Sequence, residues 1–330
     1  MSQVLISQYF AKVSTVSTRL RPRPFEKYLG VTAAKPIANV ILTLLFLDVL
    51  SGCSGGIMDP HGPTTAAERQ ILLNSVVIML CIIVPVFAAT LLVAWWYREG
   101  NRQARYRPEW TYSGKVEIVI WGIPAMVIML LGGIAWIGSH ELDPARALDS
   151  KETPLNVEVV ALDWKWLFIY PDQGLASVNR LVVPVGRPVS LKITSATVMN
   201  SFFVPQLAGQ IYAMSGMTTR LHMLAIRQGQ FEGLSAQFSG DGFSGMRFKV
   251  DAVEPAEFDG WISAVHQGGR VLDAAGYAEL SKPSRYVEPA TFGWVAGDLF
   301  DNIIHTTTLP QEEADLSICR GASSNSNERL

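Results

Sequence analysis

The sequence predicts a membrane-anchored all-β protein: a two-helix transmembrane hairpin, then a β-sandwich, then a short helical C-terminal extension. Three observations carry this expectation. Two apolar runs, 71–97 and 116–138, are each long enough to cross a bilayer, and Glu117 is the one charge within them. From residue 139 the chain changes to short β-rich segments, punctuated at regular intervals by Gly, Pro, Asn or Asp. The 330 residues are 49% hydrophobic and 17% charged, with a mean hydropathy of +0.22. That is too apolar for a wholly soluble protein. The formal net charge of -2 gives no hint of a nucleic-acid surface.

The N-terminal region, 1–52, reads as a lipoprotein-type signal peptide. A basic stretch (Arg19, Arg21, Arg23, Lys27, Lys35) precedes the apolar run ANVILTLLFLDVL, which has the length of a signal-peptide core and is short for a span. The run ends in Leu50-Ser51-Gly52-Cys53. That resembles the bacterial lipobox, in which small residues precede a cysteine that is lipidated and becomes the new N-terminus. Cys53 is therefore the expected lipidation site, with membrane lipid as its partner; the alternative is an ordinary buried cysteine behind an apolar helix. The long basic region and Asp48 within the run depart from the pattern.

Residues 53–70 read as a Gly/Pro/Thr linker. The first span, 71–97, tolerates Pro85 as transmembrane helices do and ends in the aromatic belt Trp95-Trp96-Tyr97. The loop 98–115 carries Arg98, Arg102, Arg105, Arg107 and Lys115 against two glutamates, which places it in the cytoplasm. With the second span at 116–138, both outer ends lie on the far side, in agreement with an exported Cys53. The expected location is a bacterial inner membrane with the β-domain, 139–253, in the periplasm. The remainder, 254–330, begins with PAEFDGWISAVHQ, whose Phe258, Trp261, Ile262 and Val265 recur at helical spacing, and ends in a polar tail. Cys53, Cys81 and Cys319 are far apart, so no zinc site, redox pair or disulfide framework is expected.

Gly240-Asp241-Gly242-Phe243-Ser244-Gly245 satisfies the G-x-G-x-x-G pattern of dinucleotide-binding loops. That pattern has a mechanism only where a strand feeds it and a helix opens from it. Here the next segment, 246–253, alternates apolar and polar with period two and reads as a strand, so the loop joins two strands.

Three stretches carry a family resemblance: DWKWLFIYP (163–171), VMNSFFVPQLAGQIYAMSGM (198–217) and SAQFSGDGFSGMRFKV (235–250). With the hairpin and exported β-domain, they resemble subunit II of bacterial cytochrome bo-type ubiquinol oxidases. These belong to the heme–copper oxidase superfamily, with subunit II of cytochrome c oxidase as a relative. The resemblance implies a cupredoxin-like β-sandwich in a proton-pumping quinol oxidase. Its other implied components are subunits I, III and IV, with ubiquinol handled at the level of the complex.

The cytochrome c oxidase relatives carry a dinuclear copper site. Its ligands are an early His, then Cys-x3-Cys-x3-His-x2-Met, with a Glu between the cysteines offering its carbonyl. On this sequence the early His falls on Asn200, the cysteines on Phe238 and Gly242, the later His on Met246, the Met on Lys249 and the Glu on Gly240. Every side-chain ligand is missing, and there is no cysteine between Cys81 and Cys319 to bridge copper with thiolate. The chain is therefore expected to hold no cofactor, with hemes and copper in subunit I and a quinol as electron donor. Another copper centre from Met199, Met214, Met217, Met246 and His222 is disfavoured, because methionines on a β-domain mostly pack and one His is too few. In place of metal, Phe238, Phe243 and Met246 are expected to pack inward.

The resemblance also implies a role for Glu117, in KVEIVIWGIP: the matching glutamate lies at the entrance of a proton-uptake route into subunit I. The competing account is a carboxylate that snorkels into the interface. Trp164 and Trp166 alternate with Asp163 and Lys165, placing both rings on one side of the sheet, where packing on the core or on subunit I is the favoured reading over electron entry. Two further functions compete with a metal-free oxidase subunit. One is a copper-bearing electron-transfer subunit, which the missing ligands oppose. The other is a membrane-anchored cupredoxin-like lipoprotein with a binding or export role.

Overall fold

The computed structural model describes residues 55–105 and 107–306. The signal-peptide region, Cys53, Cys319 and the polar tail lie outside the described residues.

Helix α1 (Pro63–Trp96) has 34 residues and α2 (Gly114–Glu141) has 28. At about 1.5 Å per residue, α1 is about 51 Å long against a hydrocarbon core of about 30 Å. Its first turns therefore stand clear of the bilayer on the β-domain side. The hairpin's apolar side chains are left open to a membrane or a partner, as Phe87 at 67% and Trp121 at 74% exposure show. Cys81 is an exposed free thiol within α1.

The expected linker 53–70 is much shorter than the sequence suggested. Helix α1 starts at Pro63, a residue whose fixed φ and missing N–H suit the first helical position. The stretch before it is docked on the β-domain: the His61 N–H donates to the Gln206 carbonyl (2.8 Å), and the Ile226 N–H to the His61 carbonyl (3.0 Å). A Cβ at Gly62 would lie 2.4 Å from the Leu207 carbonyl oxygen, so this close approach needs glycine. The first span is thereby tied to the β-domain.

The sandwich is built from β1 (Leu155–Leu162), β2 (Lys165–Tyr170), β3 (Leu175–Val178), β4 (Arg180–Pro184), β5 (Val189–Ser195), β6 (Asn200–Val204), β7 (Ala208–Ala213), β8 (Thr219–Met223), β9 (Gly229–Ser235) and β10 (Arg247–Val253). One sheet runs β3-β2-β1-β5-β8 and the other β4-β10-β9-β6-β7. Neighbours are antiparallel except β1 with β5 and β10 with β4, the two crossings that close the sandwich. Trp166, Phe168, Phe202 and Phe248 fill the space between the sheets.

Beyond Val253 the chain is more than a helical extension. Helix α3 (Pro255–Gln267) is followed by β11 (Val271–Leu272), helix α4 (Ala274–Leu280), β12 (Ala290–Phe292) and β13 (Trp294–Val295). Strand β12 pairs antiparallel with β3 and so becomes the edge of the first sheet. Around it, Leu272, Val295, Leu299, Phe300 and Ile303 form a second core against Val160, Leu162, Leu167 and Ile169, on the outer face of that sheet. Two polar anchors fix this arm. The buried Lys165 ammonium donates to the Lys282 carbonyl (2.7 Å) and the Ser284 hydroxyl (2.6 Å). Burial pulls the Lys165 pKa down, with Asp163 opposing. Asn179, at φ 54, donates to the Val287 carbonyl (2.8 Å) and accepts from the Trp166 N–H (2.8 Å).

Candidate functional site

Strands β9 and β10 form an antiparallel pair, and the glycine-rich stretch 236–246 is the connection between them. No helix of more than one turn opens from it; the segment Phe243–Gly245 is a single 3-10 turn. A pyrophosphate therefore has no helix N-terminus to meet, and the dinucleotide pattern is coincidental.

The loop is shaped by Trp164. This residue sits in the turn between β1 and β2 at φ 63 rather than on a strand, so the alternation expected from Asp163 to Trp166 breaks there. Its indole N–H donates to the Ser239 carbonyl (3.0 Å) and its ring lies against Gly240 and Gly242. A Cβ at Gly242 would be 2.3 Å from the ring, and Gly240 has φ +100. Both glycines are thus required, one by close approach and one by its backbone conformation. Arg285, from the C-terminal arm, lies over the Trp164 ring at 5.3 Å and pairs with Asp241 at 2.9 Å. Tyr286 covers Gly245, where a Cβ would meet its ring at 2.6 Å.

The aligned positions occupy the site as follows. Asn200 is buried at the start of β6; its amide donates to the Val198 carbonyl (3.0 Å), and its side-chain oxygen accepts from the Ser235 hydroxyl (3.3 Å). Met246 is buried, with Ser239 Oγ 3.9 Å from its sulfur. Lys249 points to solvent from β10 while its N–H donates to the Asn179 carbonyl (3.1 Å). Phe238 corrects the expectation of inward packing: it is 72% exposed, with the half-buried Phe243 edge-on to it at 5.6 Å. The reason is spatial. Trp164 already occupies the volume under the loop, so Phe238 is displaced to the rim.

These residues do not fit a dinuclear copper. Thiolates are missing from positions 238 and 242, and the space that any side chain on Gly242 would need is filled by indole. Among the described residues, no group of three or more His, Cys, Asp or Glu side chains is placed to hold a metal ion. Trp164 as the loop's packing partner, and Arg285 and Tyr286 as its cover, did not stand out in the sequence. The paired signals were a Trp at the β1–β2 turn and glycines at alternate positions of the loop.

Replacing Gly242 with Ala is expected to destabilise the chain by about 1–3 kcal/mol through overpacking. In a Trp164→Ala background the same replacement should cost close to nothing, because the clashing ring is gone. Thermal unfolding of the four variants by circular dichroism checks this; an equal cost in both backgrounds rules out the clash.

Glu117 lies in the first turn of α2, where its N–H donates to the Ser113 carbonyl (3.0 Å). The carboxylate is exposed, and no cation pairs with it among the described residues. As an acidic residue in the first turn it favours the positive end of the helix dipole.

Comparison with known proteins completes the picture. Residues 172–253 match the family described as cytochrome c oxidase subunit II, periplasmic domain, and residues 266–309 match the COX aromatic rich motif. The second match covers most of the arm that wraps the outer sheet. A cytochrome bo(3) ubiquinol oxidase subunit 2 of Pseudomonas putida is 45% identical over 264 residues, 80% of this chain and 84% of that one. The corresponding subunit of Pseudomonas aeruginosa is 44% identical over 83% of each chain. A ubiquinol oxidase subunit 2 of Acetobacter aceti is 44% identical over 75% of this chain and 83% of that one. An alignment of 264 residues is longer than everything beyond the hairpin. It therefore takes in membrane segments that a lipoprotein with a similar β-domain has no need to share. With its two spans and periplasmic β-domain, this chain belongs to the subunit 2 family of the bacterial ubiquinol oxidases, as an inner-membrane subunit of a heme–copper oxidoreductase complex.

Proposed function

We propose that this chain is the copper-free subunit II of a proton-pumping quinol oxidase. It braces the heme-bearing subunit I, assembles with subunits III and IV, and takes no electron itself. The observation that carries the reading is the filling of the glycine loop. Trp164 and Met246 occupy its interior, and Asn200, Phe238, Gly242 and Lys249 stand where side-chain ligands are needed. Electrons from a lipid-soluble quinol then reach the hemes within subunit I without passing through the periplasmic domain. Cys53 is the lipid anchor in this reading, and Glu117 the outer residue of the proton-uptake route.

The test is purification of the tagged chain from its own membranes. The expected product is a complex with a heme-bearing subunit, quinol oxidase activity, and copper no more abundant than the heme–copper centres. Copper in clear excess of those centres overturns the copper-free assignment. Recovery of the chain without heme overturns the oxidase role in this cell.

A further inference from the structure

The cytoplasmic loop of the hairpin holds a groove that none of these roles uses. Val93 and Tyr97, at the end of α1, form one wall; Arg105, Arg107 and Trp110 form the other, around a space of about 580 Å³. All five side chains are exposed. The loop is held in place at its start, where the Asn101 amide donates to the Trp96 carbonyl (2.6 Å). It is held again where the Trp110 N–H donates to the Arg107 carbonyl (3.3 Å).

The two arginines differ from their neighbour. Arg98 is engaged locally, its guanidinium 5.1 Å from the Trp95 ring and donating to the Trp95 carbonyl (3.4 Å). Arg105 and Arg107 have no carboxylate partner among the described residues, although Glu99 and Glu109 share the loop. Two unpaired guanidiniums at one groove present flat donor forks suited to phosphate oxygens.

Depth identifies the kind of ligand. Tyr97 caps the end of α1 and Trp110 lies in the loop just before α2, so both amphipathic rings suit the level of lipid headgroups. Val93 is one helical turn deeper on the same face as Tyr97, where hydrocarbon begins. The groove thus changes from cationic to aromatic to aliphatic over about one turn, roughly 5 Å. A soluble anion gains nothing from the aliphatic end, whereas a phospholipid uses all three zones. Basic pockets at the cytoplasmic ends of spanning helices suit anionic headgroups.

We propose that this groove binds one anionic phospholipid of the cytoplasmic leaflet, its phosphate on Arg105 and Arg107 and an acyl chain along Val93. The proposal depends on the membrane orientation alone and stands or falls independently of the copper and proton roles.

Native mass spectrometry of the whole oxidase complex tests it. The complex is delipidated in detergent and then given cardiolipin, phosphatidylglycerol or phosphatidylethanolamine. Wild type is expected to retain the two anionic lipids in preference to the zwitterionic one. The Arg105→Gln/Arg107→Gln complex should lose that preference by about tenfold, and the double Lys variant should keep part of it. Excess inorganic phosphate should not displace the lipid. Unchanged retention in the Gln variant overturns the proposal, as does displacement by phosphate, which marks a soluble-anion site. Loss of neighbouring subunits from the Gln variant also overturns it, because the arginines then serve protein carboxylates.

Discussion

Trp166→Ala lowers the unfolding free energy of the chain by about 3–5 kcal/mol, the range for truncating a large aromatic in a packed core. The side chain is fully buried between the sheets. It meets Phe202 edge-on at 5.3 Å and Phe248 at 5.6 Å, and Phe202 and Phe248 stack on each other at 5.0 Å. Removing the indole therefore opens a cavity bounded by two rings that hold each other in place and cannot collapse into it. The Phe variant behaves differently. The indole N–H of Trp166 has no hydrogen-bond acceptor among the described residues, so Trp166→Phe removes an unmet donor together with some volume. Its cost should be well below that of Ala, because most of the ring volume stays and the cavity left is small. Denaturant unfolding of the full chain in detergent, followed by circular dichroism, measures both. Equal losses for Ala and Phe would show that the core relaxes freely around position 166.

That core was legible in the sequence because strands with one face on the core and the other in solvent keep a clear record of burial. The segments around β5 and β9 alternate, and their polar members Lys192 and Glu232 do face solvent. Strand β2 did not alternate: KWLFIY is hydrophobic at five consecutive positions, and all six residues are buried. Such a run marks a sheet covered on both faces. What covers the second face is the C-terminal arm, whose own pieces are too short to announce themselves. Strands β11 and β13 have two residues each and β12 has three. Segments of that length are fixed by what they lie against and carry no usable period. The arm's anchors were equally hidden. Lys165 looked like the polar partner in a Trp-Lys-Trp alternation, yet it is buried by a chain segment more than a hundred residues away.

The glycine loop was legible as a place and not as a packing. Its positions that the resemblance matches to copper ligands carry no thiolate or imidazole. They did not show what replaced them, because the replacement comes from the β1–β2 turn and from residues 285 and 286 rather than from the loop. The exposed Phe238 follows from the same cause. Trp164, from the β1–β2 turn, lies against Gly240 and Gly242 and takes the space beneath them.

Glu117→Gln is expected to slow quinol-driven oxygen reduction by about tenfold, a barrier increase of about 1.4 kcal/mol, while the complex assembles normally. Gln keeps the shape and hydrogen-bonding reach of Glu and removes only the exchangeable proton and charge. The lost interaction with the N-terminus of α2 is worth about 0.3–1 kcal/mol, too little to release a subunit held by a long apolar hairpin. The exposed carboxylate has no pairing cation among the described residues, so its removal leaves no buried charge behind. Turnover of the purified complex, read beside its heme spectrum and subunit stoichiometry, separates the two accounts of this residue. Slow turnover with intact hemes, and recovery in Glu117→Asp, mark a proton donor and acceptor at the mouth of a path. Wild-type turnover in the Gln variant leaves Glu117 as a carboxylate that merely snorkels into the membrane interface.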